Sequence, residues 1–289
     1  MTNSFITLNG KKALIYRGYT KNADLSSTEF LPPTKFSLGI ENETPTYDAE
    51  ELDMHIPIED GTIIDNASTN LDWFMGGGLV TTNNTTIFKE GAGATDNIAQ
   101  NLIVHQVGSN IWERSSVTID PDKAFGLWVY ISSSTVLDKI VYISINFGGL
   151  YFSNDDLKVG WNWLSTGNNT INENSETLYS SNITSFNINV AANSDDIDEG
   201  DIVYDLARQW APADLKNNFV TGYPIFNELA GEVEIRCFLS NNQANGFPLN
   251  AFGLYNEDTV PKLLSLDVFN IESKSSTDEY VFIVKDRII

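Results

Sequence analysis

In VYISINF at residues 141–147, apolar side chains occupy every second position, and this pattern indicates the fold class. A period of two is the spacing of a half-buried β-strand, whose successive side chains point to opposite faces. FNINV at 186–190 repeats the pattern with asparagine between the apolar residues. The C-terminal stretch 280–285 shows the same alternation, and its buried apolar set is predicted to be Val281 and Ile283.

The chain around these stretches is predicted to be all β. Asn, Ser, Thr and Gly cluster as turn signals between short apolar runs, at a spacing typical of a sandwich or barrel. Helical apolar stripes are not sustained over several turns. Short helices are expected only at 47–53, 205–210 and 213–218.

Composition excludes several functional classes. The chain has 289 residues, 42% of them hydrophobic, and a net charge of −22. A surface this acidic repels nucleic-acid phosphates and anionic lipids, and no apolar run is long enough for membrane insertion. One cysteine and two histidines support no disulfide framework, zinc site or nucleophilic triad, so we expect no enzyme. The cysteine, Cys237, is expected to be a small buried hydrophobe.

Two shifts in composition divide the chain. One lies near residues 61–70 and the other follows Trp210. The block between them carries five of the six tryptophans, or all six when Trp210 is included. We therefore predict a β-sandwich domain at 66–210, inserted into a discontinuous β domain made of 1–65 and 211–289. Insertions of this kind are tolerated where the ends of the host loop lie close together.

The inserted block resembles the β-sandwich jelly rolls of carbohydrate-binding modules. Three stretches carry the resemblance, and they are TIFKEGAG at 86–93, FGLWVYI at 125–131 and KVGWNWL at 158–164. Their order and spacing match the first hairpin with its Glu-Gly turn, a central strand and the Gly-Trp turn of that family. The resemblance covers about 145 residues and implies two packed antiparallel sheets.

The resemblance also implies a structural Ca²⁺ site. Many such modules bind this ion through the Glu of the Glu-Gly turn and an Asp near the last strand. Glu90 and Asp205 occupy these places, with Asp72 or Asp65 as a third oxygen donor. Calcium prefers six to eight oxygen ligands, which an acidic chain can supply. The alternative is that these side chains are ordinary turn and edge carboxylates. No other cofactor is expected.

Sugar binding is the second implication of the resemblance. It needs exposed aromatic rings for stacking and polar side chains for the hydroxyl groups. The candidates, all aromatic, are Trp161, Trp163 and Tyr151, with Tyr130, Tyr142 and Phe152 as further ones. Trp161 and Trp163 are expected to point to opposite faces of their strand, so that at most one lies in the core. The alternative is that most of the tryptophans fill the sandwich core.

The two flanks resemble modules of tailed-bacteriophage virion proteins, such as tail fibres and baseplate components. In the first flank, PTKFSLGI at 33–40 is followed by TPT at 44–46. In the second, FGLYNED at 252–258 and SKSST at 273–277 precede a final strand. Tyr255 stands where that family more often has Phe. The order of these motifs implies that the flanks form one β domain that attaches to a virion.

Together these resemblances imply a bacteriophage virion structural protein. The split domain is expected to dock on other virion proteins during assembly in the host cytoplasm. The jelly roll would face outward and bind host-surface polysaccharide, and a homo-oligomer of three copies is favoured. The alternative is a capsid decoration or head-fibre protein, which uses the same modules. Carboxylates are numerous, but the acidic runs fit solvated loops better than a catalytic pair.

Overall fold

The computed structural model of the chain is nearly all β, with 52% of residues in strands and 6% in helices, which confirms the predicted fold class. The residues that it describes are 3–6, 33–40, 52, 54–59, 61–68, 72–75, 81–89, 97–147, 150–167, 169–175, 178–227, 232–256 and 262–287. Within these ranges, no helix is both long and apolar enough to cross a membrane.

The chain divides into two compact units. Unit 1 comprises Met1–Asp60 and Ala213–Ile289, and unit 2 is the segment between them, Gly61–Pro212. The composition shifts predict domain boundaries between residues 65 and 66 and between residues 210 and 211. In the structure these boundaries lie between residues 60 and 61 and between residues 212 and 213. All six tryptophans belong to unit 2.

Twenty strands and two short helices lie in the described residues. The first ten strands are β1 (Asn3–Ile6), β2 (Pro33–Ile40), β3 (Met54–Ile56), β4 (Thr62–Asp65), β5 (Trp73–Met75), β6 (Thr82–Asn84), β7 (Ala99–Asn101), β8 (Gly108–Arg114), β9 (Ala124–Ile131) and β10 (Ile140–Ile145). The others are β11 (Tyr151–Ser153), β12 (Gly160–Ser165), β13 (Phe186–Ala192), β14 (Ile202–Trp210), β15 (Asn217–Asn218), β16 (Ile225–Asn227), β17 (Glu232–Leu239), β18 (Pro248–Asn256), β19 (Leu263–Ser273) and β20 (Tyr280–Arg287). The helices are α1 (Ser134–Leu137) and α2 (Ile171–Asn174).

Unit 2 is a sandwich of two antiparallel sheets. One, the tyrosine sheet, has the strand order β11-β10-β13-β8-β5. The other, the tryptophan sheet, has the order β12-β9-β14-β7-β6, and β4 pairs with β14. From β8 to β10, and again from β12 to β14, the chain changes sheet at every step. This connectivity is that of a jelly roll.

The core of unit 2 lies between the two sheets and is rich in aromatic rings. Trp73 and Phe186 form an edge-to-face pair with ring centroids 5.6 Å apart, and Trp73 lies 4.7 Å from the ring of Tyr204. Phe125 makes edge contacts with both Phe147 and Phe186. Pairs of this geometry add about 0.5–1.5 kcal/mol each beyond the area that they bury.

The alternation of apolar and polar residues correctly predicts which side chains are buried in β13. In β10 it does so only in part. In β13 the apolar side chains are buried, and Asn187 and Asn189 lie on the other face as predicted. In β10 a register shift between Ile140 and Tyr142 displaces the pattern. Val141 is therefore exposed, although a strict period of two grouped it with the buried residues.

The prediction of a helix at 205–210 is wrong, because these residues belong to β14. All residues of β14 are buried. A bulge at Leu206, whose φ is +47°, inserts an extra residue opposite β9 and breaks the alternation that marks a strand. The helix expected at 213–218 is a single 3-10 turn, Pro212–Leu215, followed by β15. The helix expected at 47–53 falls almost wholly outside the described residues.

Unit 1 is built from strands of both flanks. Its larger sheet has the order β1-β19-β18-β2-β15, with β3 paired to β2, and its smaller sheet has the order β16-β17-β20. Phe252 of β18 stacks on Phe282 of β20 at 4.9 Å and on Phe36 of β2 at 5.8 Å. Aromatic contacts therefore connect the two flanks and the two sheets.

The last strand, β20, faces the opposite way from the prediction. Its Phe282 packs on the larger sheet, so Val281 and Ile283 lie on the outer face and are 55% and 51% exposed. Because the four successive residues 281–284 are apolar, a period of two cannot tell which face is buried. In the adjacent β17 the expectation for Cys237 is confirmed, since the thiol is buried, and burial raises its pKa.

Candidate functional site

Strand register brings aromatic and amide side chains together on the outer face of the tyrosine sheet. Residues that lie opposite each other on paired strands share a face, and so do residues two positions apart. The surface defined in this way, here called the tyrosine face, comprises Tyr151 and Ser153 on β11, Tyr142 and Ser144 on β10, Asn187 and Asn189 on β13, Ile111 and Glu113 on β8, and Phe74 on β5.

Two tyrosine rings lie at the β11 edge of this face. The ring centroids of Tyr142 and Tyr151 are 4.7 Å apart, with an angle of 34° between the ring planes. Tyr151 is 57% exposed and Tyr142 is half-buried. The amide nitrogen of Asn189 donates to the Tyr142 hydroxyl at 3.3 Å. The pair is therefore an anchored aromatic surface that is open to solvent.

The rest of the tyrosine face is apolar or neutral. Phe74 and Ile111 are each 46% exposed, and Asn187 and Asn189 are half-buried between Ile111 and the tyrosine pair. Glu113 is its charged member. Sequence reasoning proposed Tyr151 and Tyr142 but missed Phe74, Ile111 and the two asparagines. The FNINV pattern placed both asparagines on one face, but it did not show which strands would flank them.

The predicted tryptophans lie on the outer face of the other sheet. Trp161 and Trp163 lie opposite Tyr130 and Trp128 on β9. They therefore share a face, and the prediction that they point to opposite faces is wrong, because side chains two positions apart lie on the same side of a strand. Trp163 is 2% exposed, and Trp161 is half-buried with its ring edge-on to Trp128.

Close packing explains why this second aromatic cluster offers little surface to a sugar. The Trp163 ring lies 5.1 Å from that of Trp128 and 5.6 Å from that of Trp210, and the ammonium group of Lys89 lies 4.7 Å above Trp128. Gly126 makes the packing compatible with the strand pairing, because a Cβ there would lie 2.8 Å from Cη2 of Trp163. The tryptophans thus stabilise the sheet from outside.

The described residues do not assemble the predicted calcium site. The Asp72 carboxylate lies 3.1 Å from a terminal nitrogen of Arg114, which supplies the positive charge that a metal would otherwise bring. Asp205 is fully buried on β14 and accepts the backbone N–H of Lys89 at 2.7 Å. Glu90 lies outside the described residues. In the described ranges no group of three His, Cys, Asp or Glu could hold a metal, and the calcium site stays a prediction.

Asp65 belongs to a buried polar network that joins the two sheets. Its carboxylate accepts Nε–H of Arg114 on β8 at 2.9 Å and the hydroxyl of Tyr204 on β14 at 2.8 Å. Burial acts to lower the pKa of Arg114, but the charge and hydrogen bonds of Asp65 and Asp72 outweigh it and raise that pKa. Burial, and next the charge of Asp65, raise the pKa of Tyr204 well above its usual value. The network therefore joins the Arg114–Asp65 ion pair to a tyrosine that keeps its proton.

No protein-family model and no curated protein matches the sequence. Among solved structures, the chain is similar to two carbohydrate-binding modules of family 22. One is the C-terminal module of Clostridium thermocellum Xyn10B, described for the role of its cleft residues in ligand binding. It is 12% identical, with a TM-score of 0.33, over 53% of this chain and 94% of the module. The other, a xylan-binding domain, is 11% identical, with a TM-score of 0.33, over 52% and 94%.

Proposed function

We propose that unit 2 binds a neutral polysaccharide on the tyrosine face, and the exposed Tyr142–Tyr151 pair is the observation that carries this proposal. The two rings, tilted by 34° to each other, offer apolar surface that suits the C–H faces of sugar rings. The amide nitrogens of Asn187 and Asn189 can donate to sugar hydroxyls. An exposed apolar patch rimmed by polar groups is typical of a binding surface.

The charge of the face favours a neutral ligand and a binding role. Glu113 is the charged residue among those that define the face, so an acidic glycan would meet a carboxylate without a compensating cation. Glycoside hydrolysis generally requires two carboxyl groups about 5–9.5 Å apart. A face with a single carboxylate therefore fits recognition better than hydrolysis.

Titration calorimetry of the full chain with neutral xylan, β-glucan and mannan oligosaccharides tests this function. Tyr151→Ala and Tyr142→Ala are each expected to weaken binding at least about tenfold, since aromatic anchors contribute much of the affinity of an interface. Tyr130→Ala removes a tyrosine from the tryptophan sheet and is the matched control, with unchanged affinity expected. Equal losses in all three variants, or binding by no neutral glycan, would contradict the proposal.

We further propose that the chain is a component of a bacteriophage virion, with unit 1 as its attachment domain and assembly in the host cytoplasm. The resemblance of the flanking motifs supports this. Strand β2 carries PTKFSLGI and pairs along its length with β18, which carries the FGLYN stretch. Motifs from both flanks thus contribute to one sheet of one domain. The attachment domain would dock on other virion proteins as a trimer.

Gold-labelled antibody on intact virions, viewed by electron microscopy, tests the assignment. Label at the tail would support a tail-fibre or baseplate component, and label over the head would support the alternative of a decoration or head-fibre protein. Unlabelled particles would contradict both. Light scattering of the purified protein is expected to give the mass of three 32.1 kDa chains.

A further inference from the structure

Unit 1 contains a cavity of about 540 Å³ that the proposed functions do not use. It opens beside the outer face of the smaller sheet, next to β15 and the loop at 219–224. Its volume lies within the range of about 300–1,000 Å³ that is typical of small-ligand sites. Among the residues that line it are Asn217, Asn218, Phe219, Tyr223, Arg236 and Phe238.

Backbone hydrogen bonds hold the loop that forms one wall. The N–H of Val220 donates to the carbonyl of Arg236 on β17 at 2.8 Å, and the N–H of Tyr223 donates to the carbonyl of Val220 at 3.0 Å. Gly222 has a φ of +92°, which a residue with a Cβ adopts only with strain. The loop is therefore fixed to the strand that carries Arg236, and the cavity is preformed.

Arg236 is oriented within this wall by two contacts. Its Nε–H donates to the Glu234 carboxylate at 2.7 Å, and its guanidinium carbon lies 5.2 Å from the centroid of the Tyr223 ring. Stacking on an aromatic ring and one hydrogen bond fix the plane of a guanidinium. Among the residues that the structure describes, neither terminal NH₂ group of Arg236 has a hydrogen-bond partner. These two groups form the fork that binds a carboxylate in a bidentate pair.

Arg236 does not use the whole of the Glu234 carboxylate, because Lys285 on β20 lies 3.0 Å from its other oxygen. A second carboxylate, that of Glu59, accepts a hydrogen bond from Gln243 in the cavity lining. Since Glu234 contacts Arg236 through Nε, the two terminal NH₂ groups of Arg236 are left for a ligand anion.

The other lining groups suit a polyhydroxylated ring. Phe238 is 38% exposed and Phe219 is half-buried, so both offer apolar surface to a ligand. Asn217 and Asn218 bring amide groups that both donate and accept. The Oδ1 atom of Asn217 accepts the backbone N–H of Asn218 at 2.7 Å, which fixes the Asn217 side chain, and a small apolar anion would bring no hydroxyl to either amide.

We infer that this cavity binds a hexuronate, a sugar ring that carries a carboxylate. The carboxylate would pair with the terminal NH₂ groups of Arg236, the ring would pack on Phe238, and the hydroxyls would bond to Asn217 and Asn218. Neutral sugars lack the group that pairs with Arg236, and simple carboxylates lack the ring. The inference is independent of the tyrosine face, because that face lies in unit 2 and involves other residues.

Calorimetric or NMR titration of the full chain with D-glucuronic and D-galacturonic acid tests the inference, with D-glucose and acetate as comparison ligands. Saturable binding with a Kd on the order of 1 mM is expected for a uronate, and binding at least about tenfold weaker for both comparison ligands. Arg236→Gln is expected to weaken uronate binding at least about tenfold, because it removes the fork and the charge.

Lys262→Gln is the control, because it also removes one positive charge from unit 1 but lies outside the cavity lining and does not contact Glu234. Its affinity is expected to stay within about twofold of the parent value. Arg236→Lys, which keeps the charge without the fork, should still weaken binding several-fold. Equal loss in Arg236→Gln and Lys262→Gln, acetate binding as tight as that of glucuronic acid, or no saturable uronate binding would overturn the inference.

Discussion

Removal of the Tyr204 hydroxyl tests how much the buried polar network stabilises unit 2. This hydroxyl is fully buried and donates to the Asp65 carboxylate at 2.8 Å. Tyr204→Phe removes one oxygen atom and leaves the ring against Trp73 and Phe186. The substitution therefore isolates one hydrogen bond of the network that joins the two sheets.

The expected loss follows from the charge on the acceptor. A hydrogen bond to a charged group contributes about 1.5–3 kcal/mol, roughly twice the value for a neutral pair. Unit 2 runs from Gly61 to Pro212, which is 152 residues. For a domain of this size each kcal/mol lowers the unfolding temperature by about 2–4 °C. We expect Tyr204→Phe to lower the unfolding temperature of unit 2 by about 3–12 °C.

Tryptophan fluorescence measures this change selectively, because all six tryptophans lie in unit 2. Urea unfolding followed at this signal gives the free energy of unfolding for that unit. Tyr142→Phe is the control, since Tyr142 is half-buried and its hydroxyl accepts one long hydrogen bond of 3.3 Å. Its expected loss is below about 0.5 kcal/mol.

Alkaline pH provides a second signature of the same hydroxyl. The folded pKa of Tyr204 is raised, so the native state keeps the proton while an unfolded tyrosine loses it near pH 10. The native state then binds more protons, and its stability falls above about pH 10 by up to about 1.4 kcal/mol per pH unit. Below pH 10 this contribution is fully present. The difference in the free energy of unfolding between the parent protein and Tyr204→Phe should therefore decrease as pH rises from 10 to 11.

Two results would refute this account. One is a loss below about 0.5 kcal/mol in Tyr204→Phe at neutral pH, which would mean that the hydroxyl bonds equally well in the unfolded chain. The other is a difference in the free energy of unfolding between parent and variant that stays constant up to pH 11. In that case Tyr204 would titrate as an exposed tyrosine does, and its burial would have to be wrong.

Three further outcomes follow from contacts in the two units. Gly126→Ala should destabilise unit 2 by about 1–3 kcal/mol in urea unfolding, because the new Cβ would overlap the Trp163 ring, with Cη2 at 2.8 Å. A neutral effect would show that the ring can move. Asp72→Asn should cost less than about 1 kcal/mol, since its side chain is 42% exposed, whereas Asp65→Asn should cost about 3 kcal/mol or more in the same assay. Cys237 should react with a thiol reagent only after denaturation, because burial raises its pKa; rapid reaction in the native protein would contradict its position.

Strand identity was predictable wherever alternation was regular. FNINV became β13 with its asparagines outward, and the all-β class followed from such stretches. The second half of strand β14, which spans 202–210, could not be predicted from the sequence. A bulge at Leu206 and burial on both faces remove the period of two that marks a strand. For β20, four consecutive apolar residues fit either face, and packing against Phe252 determines which face is buried.

The candidate site was predictable in its residue types but not in its assembly. Tyr142 and Tyr151 come together only because β10 and β11 pair in a register that places Tyr142 opposite Ser153. Trp161 and Trp163 were equally attractive as sequence features. Their burial depends on neighbours from β9 and β14 that no local pattern specifies. The Arg236 cavity was missed because its lining combines residues from separate strands and a loop.

The insertion of unit 2 has a consequence for the order of events during synthesis. Phe36 of β2 pairs with Leu254 of β18, 218 positions later in the chain. At about 5–20 residues per second, a ribosome needs roughly 10–40 s to deliver that partner. Unit 2 can fold in the meantime, and it brings Thr62 beside Gln209. Folding of unit 2 thereby shortens the flexible loop between β2 and β18. This lowers the entropic cost of pairing these two strands by about 1 kcal/mol. During that interval β2 has β3 as a partner within the first flank but lacks β18 at its other edge, so this apolar edge is where we expect a chaperone to bind the nascent protein.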